Sequence, residues 1–158
     1  MLLGLGFDQH PLVPGRRLVL GGVEIPAARG LAGHSDADVL THAVAEALLG
    51  ALALGDLGQH FPDSDPRYRD VSSLALLGRV VEMVQRRGGR VGNVDATVLA
   101  EAPRLAGSLD EMRKRLAGTL GLPVERVSVK AKHPEGVGAA GRGEGIAALA
   151  IATVLLEG

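Results

Sequence analysis

Residues 2–10 alternate along the chain, with Leu3, Leu5 and Phe7 on one face and Gly4, Gly6, Asp8 and His10 on the other. That period predicts a strand. Leu18 to Ile25 forms two short apolar runs around Gly21-Gly22, a hairpin pattern that Pro26 closes. From Ser35 the period becomes helical. Ser35 and Asp38 have capping-box spacing, acids sit in the first turn, and Val39, Leu40, Ala43, Val44, Ala47 and Leu48 form one stripe, predicting a helix to about Leu49. Residues 55–70 carry turn formers and acids without a period, so they predict a long loop, a kind of segment that often carries function. A second helix is predicted from about Ser72 to Arg87, stopped by Gly88-Gly89, followed by a strand near 91–100. Ser108 and Glu111 open a third helix that ends at Gly121 before Pro123, and Val124 to Lys132 alternates as a strand. Glycines crowd 136–145, and the apolar run from Ile146 suits a buried strand or a buried helix, the strand being the reading adopted.

No repeat or linker interrupts this order, so residues 1–158 form one domain of α+β class. Its expected form is a mixed β-sheet with helices packed on one face plus a small hairpin. The other face then needs a partner, which an oligomer sharing that face would supply. Composition points the same way: aromatics are only 2% of the residues, so Ala, Val, Leu and Ile must build the core. A formal charge of -1, with both signs dispersed, lacks the basic footprint of a nucleic-acid binder. With no cysteine, any metal must be held by histidine and carboxylate. The amino terminus has no basic leader, and the run from Ile146 to Leu156 is too short to span a bilayer, so a cytoplasmic location away from the membrane is expected.

Asp8 and His10 lie two apart on the first strand, so their side chains project together and can share an ion. Gly4 and Gly6 leave room beside them for another backbone or a ligand. The plain alternative is a turn-capping Asp8 and a solvated His10. His34 and His42 bracket the start of the first helix, and Asp38, one turn before His42, could hold the second nitrogen of its imidazole. Asp8, His10 and His42 would give three ligands and leave a fourth tetrahedral position open, the catalytic pattern for zinc. A polar helix end with solvated histidines is the competing reading. His34 and Ser35 also precede a helix amino terminus, a natural seat for phosphate.

Several separated motifs are similar to those of the 2-C-methyl-D-erythritol 2,4-cyclodiphosphate synthase family. They are Gly6-Phe7-Asp8-Gln9-His10, Gly21-Gly22-Val23, His34-Ser35-Asp36-Ala37-Asp38-Val39 with His42, Ala53 to Gly58, and Phe61-Pro62-Asp63-Ser64-Asp65-Pro66. Gly92-Asn93-Val94-Asp95, Ala102-Pro103 and Gly141-Arg142-Gly143-Glu144-Gly145 continue the match over essentially the whole chain. The resemblance implies a homotrimer around the open sheet faces, with active sites between neighbouring subunits. It also implies the reaction: the 2-phosphate of 4-diphosphocytidyl-2-C-methyl-D-erythritol 2-phosphate attacks the β-phosphorus of the same molecule and expels CMP, in the non-mevalonate route to isoprenoid precursors. Zn2+ on Asp8, His10 and His42 would orient the attacking phosphate, and Mg2+ (or Mn2+), held by Glu135, would bridge the α- and β-phosphates. His34 and His133 are the expected catalytic side chains. Gln9, Ser35, Asp56, Leu57, Gly58, Phe61, Pro62, Asp63, Ser64 and Asp65 would surround the methylerythritol and its phosphates. Ala100, Glu101, Ala102, Pro103, Arg104, Leu105 and Ala106 would receive the cytidine end, and Lys132, His133, Pro134 and Glu135 the diphosphate.

Three departures alter what the resemblance implies. Ala131-Lys132-His133-Pro134-Glu135 stands where the family usually reads Ala-Thr-Thr-Thr-Glu, so Lys132 or His133 would replace threonine hydroxyls near the diphosphate. A catalytic His133 would make the rate more pH-dependent between roughly pH 5 and 8. Ala139 replaces a phenylalanine that many members carry near the trimer axis, where Arg142 would still capture a diphosphate. Arg104 replaces a lysine. Two other activities fit the same residues: a zinc phosphohydrolase, and a non-catalytic trimeric binder of isoprenoid diphosphates.

Overall fold

A computed structural model describes residues 1–156. In chain order its elements are β1 (Leu2–Pro14), β2 (Leu18–Leu20), β3 (Val23–Ile25), β4 (Arg29–Leu31), α1 (Val39–Ala51), α2 (Leu57–His60), α3 (Ser73–Arg86), β5 (Gly89–Leu99), α4 (Leu109–Leu120), β6 (Val127–Lys132), α5 (Gly138–Gly141) and β7 (Gly145–Leu156). One sheet has the order β4-β1-β7-β5-β6, parallel only between β5 and β6, and β2 and β3 form a separate hairpin. α1, α3 and α4 cover one face of the sheet. The fold is therefore the α+β arrangement that the periodicities predict, and the apolar run from Ile146 is a strand.

The glycines of β1 set the spacing between sheet and helix. A Cβ at Gly4 would collide with the Ala47 carbonyl oxygen, and one at Gly6 with that of Ala43. α1 thus lies with its backbone against the strand, and only residues without a side chain tolerate that approach. The small faces of Ala43 and Ala47 complete the contact, both fully buried. In this way a core poor in aromatics reaches close packing: short side chains allow short distances.

The first helix departs from its predicted start. Ser35 Oγ accepts the Ala37 N–H in a turn, and the N-cap is Asp38, so the helix opens at Val39. The Asp38 carboxylate, fully buried, accepts the N–H groups of Gly21, Gly22 and Thr41 and the Thr41 hydroxyl. Burial pushes its pKa up, against the pull of these donors. Asp38 thereby ties the hairpin turn, where Gly21 and Gly22 both have positive φ, to the start of α1. Two expectations fall with this. Asp38 has no oxygen to spare for His42, and the helix terminus expected to seat a phosphate is filled by a carboxylate of the chain itself.

Other differences are extensions. β1 runs on to Pro14 and pairs with the short β4, and the segment 55–70 contains α2 and a 3-10 turn at Pro66–Tyr68. The face of the sheet away from the helices carries Leu3, Leu5, Phe7, Leu149 and Ile151, with Leu3 and Leu5 more than 60% exposed. Leu5 lies opposite Ile151 and Phe7 opposite Leu149, so these side chains form one continuous apolar patch.

Candidate metal centre and active-site cleft

The close approach of α1 to β1 places the metal candidates. Gly6 lies against Ala43, so Asp8, two positions along the same face, meets His42 at the preceding helical position. Asp8 Oδ2 is 2.9 Å from His42 Nδ1 and 3.0 Å from His10 Nε2. Its other oxygen, Oδ1, accepts the Gln9 N–H, which fixes the carboxylate. One ligand atom from each of Asp8, His10 and His42 lies within 4.8 Å of the others, half-buried.

The outer partners of the imidazoles decide what this cluster can hold. His10 Nδ1 is 2.7 Å from the Ala32 carbonyl oxygen, which can only accept, so Nδ1 carries a proton and Nε2 turns a lone pair toward Asp8. His42 Nε2 faces the hydroxyls of Ser73 at 2.8 Å and Ser35 at 3.2 Å, with Nδ1 toward Asp8. The neutral imidazoles thus aim lone pairs at a carboxylate, an arrangement that needs a cation among them. When no metal is bound, a proton on His10 meets part of that need. Burial alone would raise the Asp8 carboxyl, but hydrogen bonds and charge from His10 and His42 outweigh it and lower the pKa to about 2. The hydrogen bond to Asp8 raises the pKa of His10 against the effect of burial. The donor set therefore fits a divalent ion.

A cleft of about 180 Å³ opens beside these ligands, lined further by Gly33, His34, Ser35, Glu46, Leu57, Gly58, Phe61, Asp63, Tyr68 and Leu76. Of the loop residues expected at the substrate, the structure thus brings Leu57, Gly58, Phe61 and Asp63 to the ligands. Asp56 instead caps α2 by accepting from Gln59, and Asp65 pairs with Arg67, while Pro62 and Ser64 sit in the same loop without lining the cleft. Sequence reasoning missed Glu46, one helical turn after His42, whose carboxylate holds the loop through the Leu57 N–H at 3.0 Å. Its i, i+4 spacing from His42 was the available signal. Ser73 gave none, because the fold brings it from α3 to His42.

The remaining expected residues form a second group. His133 Nε2 lies 3.1 Å from Glu101 and its Nδ1 3.6 Å from Glu135, and the Gly136 N–H donates to Glu101. The Ala100 N–H donates to Lys132, joining the segment 100–106, which holds Ala102, Pro103, Arg104, Leu105 and Ala106, to the end of β6 where Pro134 follows. Gln9, Ala147, Leu99 and Lys132 lie in one row across β1, β7, β5 and β6. With strands about 4.8 Å apart, roughly 14 Å separates the metal group from this one within the chain. Both sit at the same end of the sheet but do not share a cleft. Ala139 lines a different hollow of about 250 Å³ with Gln9 and Glu144, and Arg142 is paired with Glu144 at 2.6 Å.

The profile of the YgbB family matches residues 1–155. The chain belongs to that family. Relatives named 2-C-methyl-D-erythritol 2,4-cyclodiphosphate synthase include one from Salinibacter ruber, 60% identical over 154 residues, covering 98% of each chain. Another, from Moorella thermoacetica, is 59% identical over 155 residues, 98% of this chain and 95% of that one. Among solved structures, a 2C-methyl-D-erythritol-2,4-cyclodiphosphate synthase in a CDP-bound form superposes with a TM-score of 0.89 at 33% identity, over 97% of this chain and 99% of that chain. In this YgbB member the candidate ligand cluster of Asp8, His10 and His42 is built within one chain, from β1 and α1.

Proposed function

We propose that this chain converts 4-diphosphocytidyl-2-C-methyl-D-erythritol 2-phosphate to 2-C-methyl-D-erythritol 2,4-cyclodiphosphate and CMP. The observation that carries this is the convergence of Asp8 Oδ2, His10 Nε2 and His42 Nδ1, with the outer nitrogens of both imidazoles already committed, beside a cleft able to hold a small phosphorylated polyol. An oxygen of the 2-phosphate forms a bond to the β-phosphorus, the bond from that phosphorus to the bridging oxygen breaks, and CMP leaves with its electron pair. No water enters, so the task of the protein is to bring two anionic groups together.

Asp8, His10 and His42 would hold Zn2+, and Glu135, 84% exposed at its side chain, would hold Mg2+ together with substrate oxygens. When bound, these ions neutralise phosphate charge and fix the two phosphates in line, an effect worth several kcal/mol. His34 lines the cleft beside His10, where its imidazole can donate to the attacking phosphate. Asp63, which lines the cleft with Leu57 and Gly58, would meet the hydroxyls of the polyol. His133, carried between Glu101 and Glu135, would donate to the diphosphate in place of threonine.

The metal group and the His133 group serve one substrate only if a neighbouring copy supplies the second. A homotrimer packed through the apolar face of Leu3, Leu5, Phe7, Leu149 and Ile151 would do so and would bury that patch. Among the described residues no helix is long and apolar enough to cross a membrane. The test is a CMP-release assay with phosphorus NMR of the products. A cyclic diphosphate supports the proposal, and a linear methylerythritol bisphosphate would assign a phosphohydrolase instead.

A further inference from the structure

We infer that Ser73, aimed by Asp36, is a positioning residue for the metal centre: it fixes the His42 ring so that Nδ1 is the ligating atom. The inference rests on the reading of Asp8, His10 and His42 as a metal site. Ser73 opens α3 and is 1% exposed, so no bulk water reaches its hydroxyl. Its Oγ touches two groups of opposite demand, Asp36 Oδ1 and His42 Nε2, with the Ser35 hydroxyl at the longer distance of 3.5 Å. A carboxylate only accepts, so the single hydroxyl proton goes to Asp36. The oxygen can then only accept from His42, and Nε2 must carry a proton. In the neutral imidazole, the form that can ligate a metal, Nδ1 is then left with its lone pair, facing Asp8.

Asp36 is itself held. Its carboxylate accepts the Ser73 N–H at 3.1 Å and the Asp38 N–H at 3.2 Å, and its backbone N–H donates to the Val71 carbonyl oxygen. Ser35 Oγ, which accepts the Ala37 N–H, adds a second, longer contact to Nε2 at 3.2 Å. His42 thus has a carboxylate–hydroxyl chain behind it, the kind of outer partner that orients a ligating imidazole and raises its basicity. The plainer alternative is that Asp36 only caps α3, since Ser72 makes no side-chain cap bond there. Capping uses Asp36 Oδ2 and the Ser73 N–H, and leaves the hydroxyl bond to His42 unexplained.

Zinc dissociation constants, measured by competition with a chromophoric chelator, separate the two. The proteins are the parent, His42→Ala, Ser73→Ala, Ser73→Thr and Asp36→Asn, with circular dichroism of the metal-free forms as the check on folding. Ser73→Ala and Asp36→Asn are expected to weaken zinc binding about 10- to 100-fold. Ser73→Thr keeps a hydroxyl and is expected to stay within about threefold of the parent. Parent-like affinity in Ser73→Ala overturns the inference, as does a Ser73→Thr protein as weak as Ser73→Ala, because packing and not the hydroxyl would then matter. If Ser73→Ala does not fold, Asp36→Asn decides, since it keeps the hydroxyl and removes the charge that aims its proton; parent-like affinity there overturns the inference. Zinc binding by the parent and its loss in His42→Ala keep these outcomes apart from failure of the metal reading, which a parent that binds no zinc would signal.

Discussion

Gly6→Ala tests whether the metal site depends on the close approach of α1 to β1. The new Cβ would overlap the Ala43 carbonyl oxygen and lie 2.6 Å from the Ala47 nitrogen and 3.0 Å from the Ala43 carbonyl carbon, where ordinary contact begins at 3.4 Å. All are backbone atoms of a buried helix, so no side chain can move aside, and α1 must retreat. Such overpacking costs about 1–3 kcal/mol or more. For a chain of this size that lowers Tm by roughly 2–12 °C. The same movement draws His42 from Asp8, and metal–ligand lengths tolerate only about 0.2 Å, so zinc binding should weaken at least about tenfold. Thermal unfolding of the metal-free protein and a chelator competition for zinc give the two readouts. Gly78→Ala in α3 is the control, since a Cβ at that position would meet nothing within 4 Å. It should leave zinc binding unchanged and raise stability by up to about 1 kcal/mol. A Gly6→Ala protein with parental Tm and zinc affinity would refute the packing argument.

Asp8→Asn removes the charge that balances the ion and should abolish zinc binding at stoichiometric concentrations, lowering kcat at least about 100-fold, as metal analysis and CMP release will show. His10 holds its proton above the ordinary 6.5 in the metal-free fold, so that proton stabilises the metal-free protein below about pH 6.5 and the stabilisation is lost as pH rises through the raised value. Zinc competes for the same nitrogen, so the increase in Tm that zinc gives should grow from about pH 6 to about pH 8, and a constant increment contradicts this. The Asp8 carboxyl, lowered to about 2, contributes stability present above its ordinary 3.8 and lost as pH falls toward about 2, which acid titration of the metal-free protein measures. If the proposed trimer packs through the open apolar face, Leu5→Asp places a charge in that face and should shift the mass found by light scattering from that of a trimer to that of a monomer, with Tm of the metal-free monomer still measurable.

The strands, the long helices and the open sheet face were legible because each depends on local periodicity, and alternation along β1 even placed Asp8 and His10 on the face with Gly4 and Gly6. The candidate metal ligands Asp8, His10 and His42 were legible as residue types at telling spacings, and the fold brings the three together. The outer contacts were not. Asp38 looked free to serve His42 because sequence spacing cannot show that the hairpin turn at Gly21 and Gly22 uses its oxygens. Ser73 supports His42 across a gap of 31 residues, a relation that only the packing of α3 against α1 creates. Asp56 and Asp63 likewise both resembled polyol ligands, and the fold separates them: Asp56 is used in a local cap, as is Asp65, and Asp63 reaches the cleft. The division of the expected site into two groups follows from strand order, since β7 and β5 stand between β1 and β6.

At the site built on Asp8, His10 and His42, a substrate phosphate, and not water, is expected to attack the β-phosphorus. Turnover of 4-diphosphocytidyl-2-C-methyl-D-erythritol 2-phosphate in oxygen-18 water, with the products read by phosphorus NMR and mass spectrometry, tests it most directly. CMP and a cyclic diphosphate, neither carrying solvent oxygen, are the predicted result. Oxygen-18 in the methylerythritol phosphate product, or a linear bisphosphate, would contradict it.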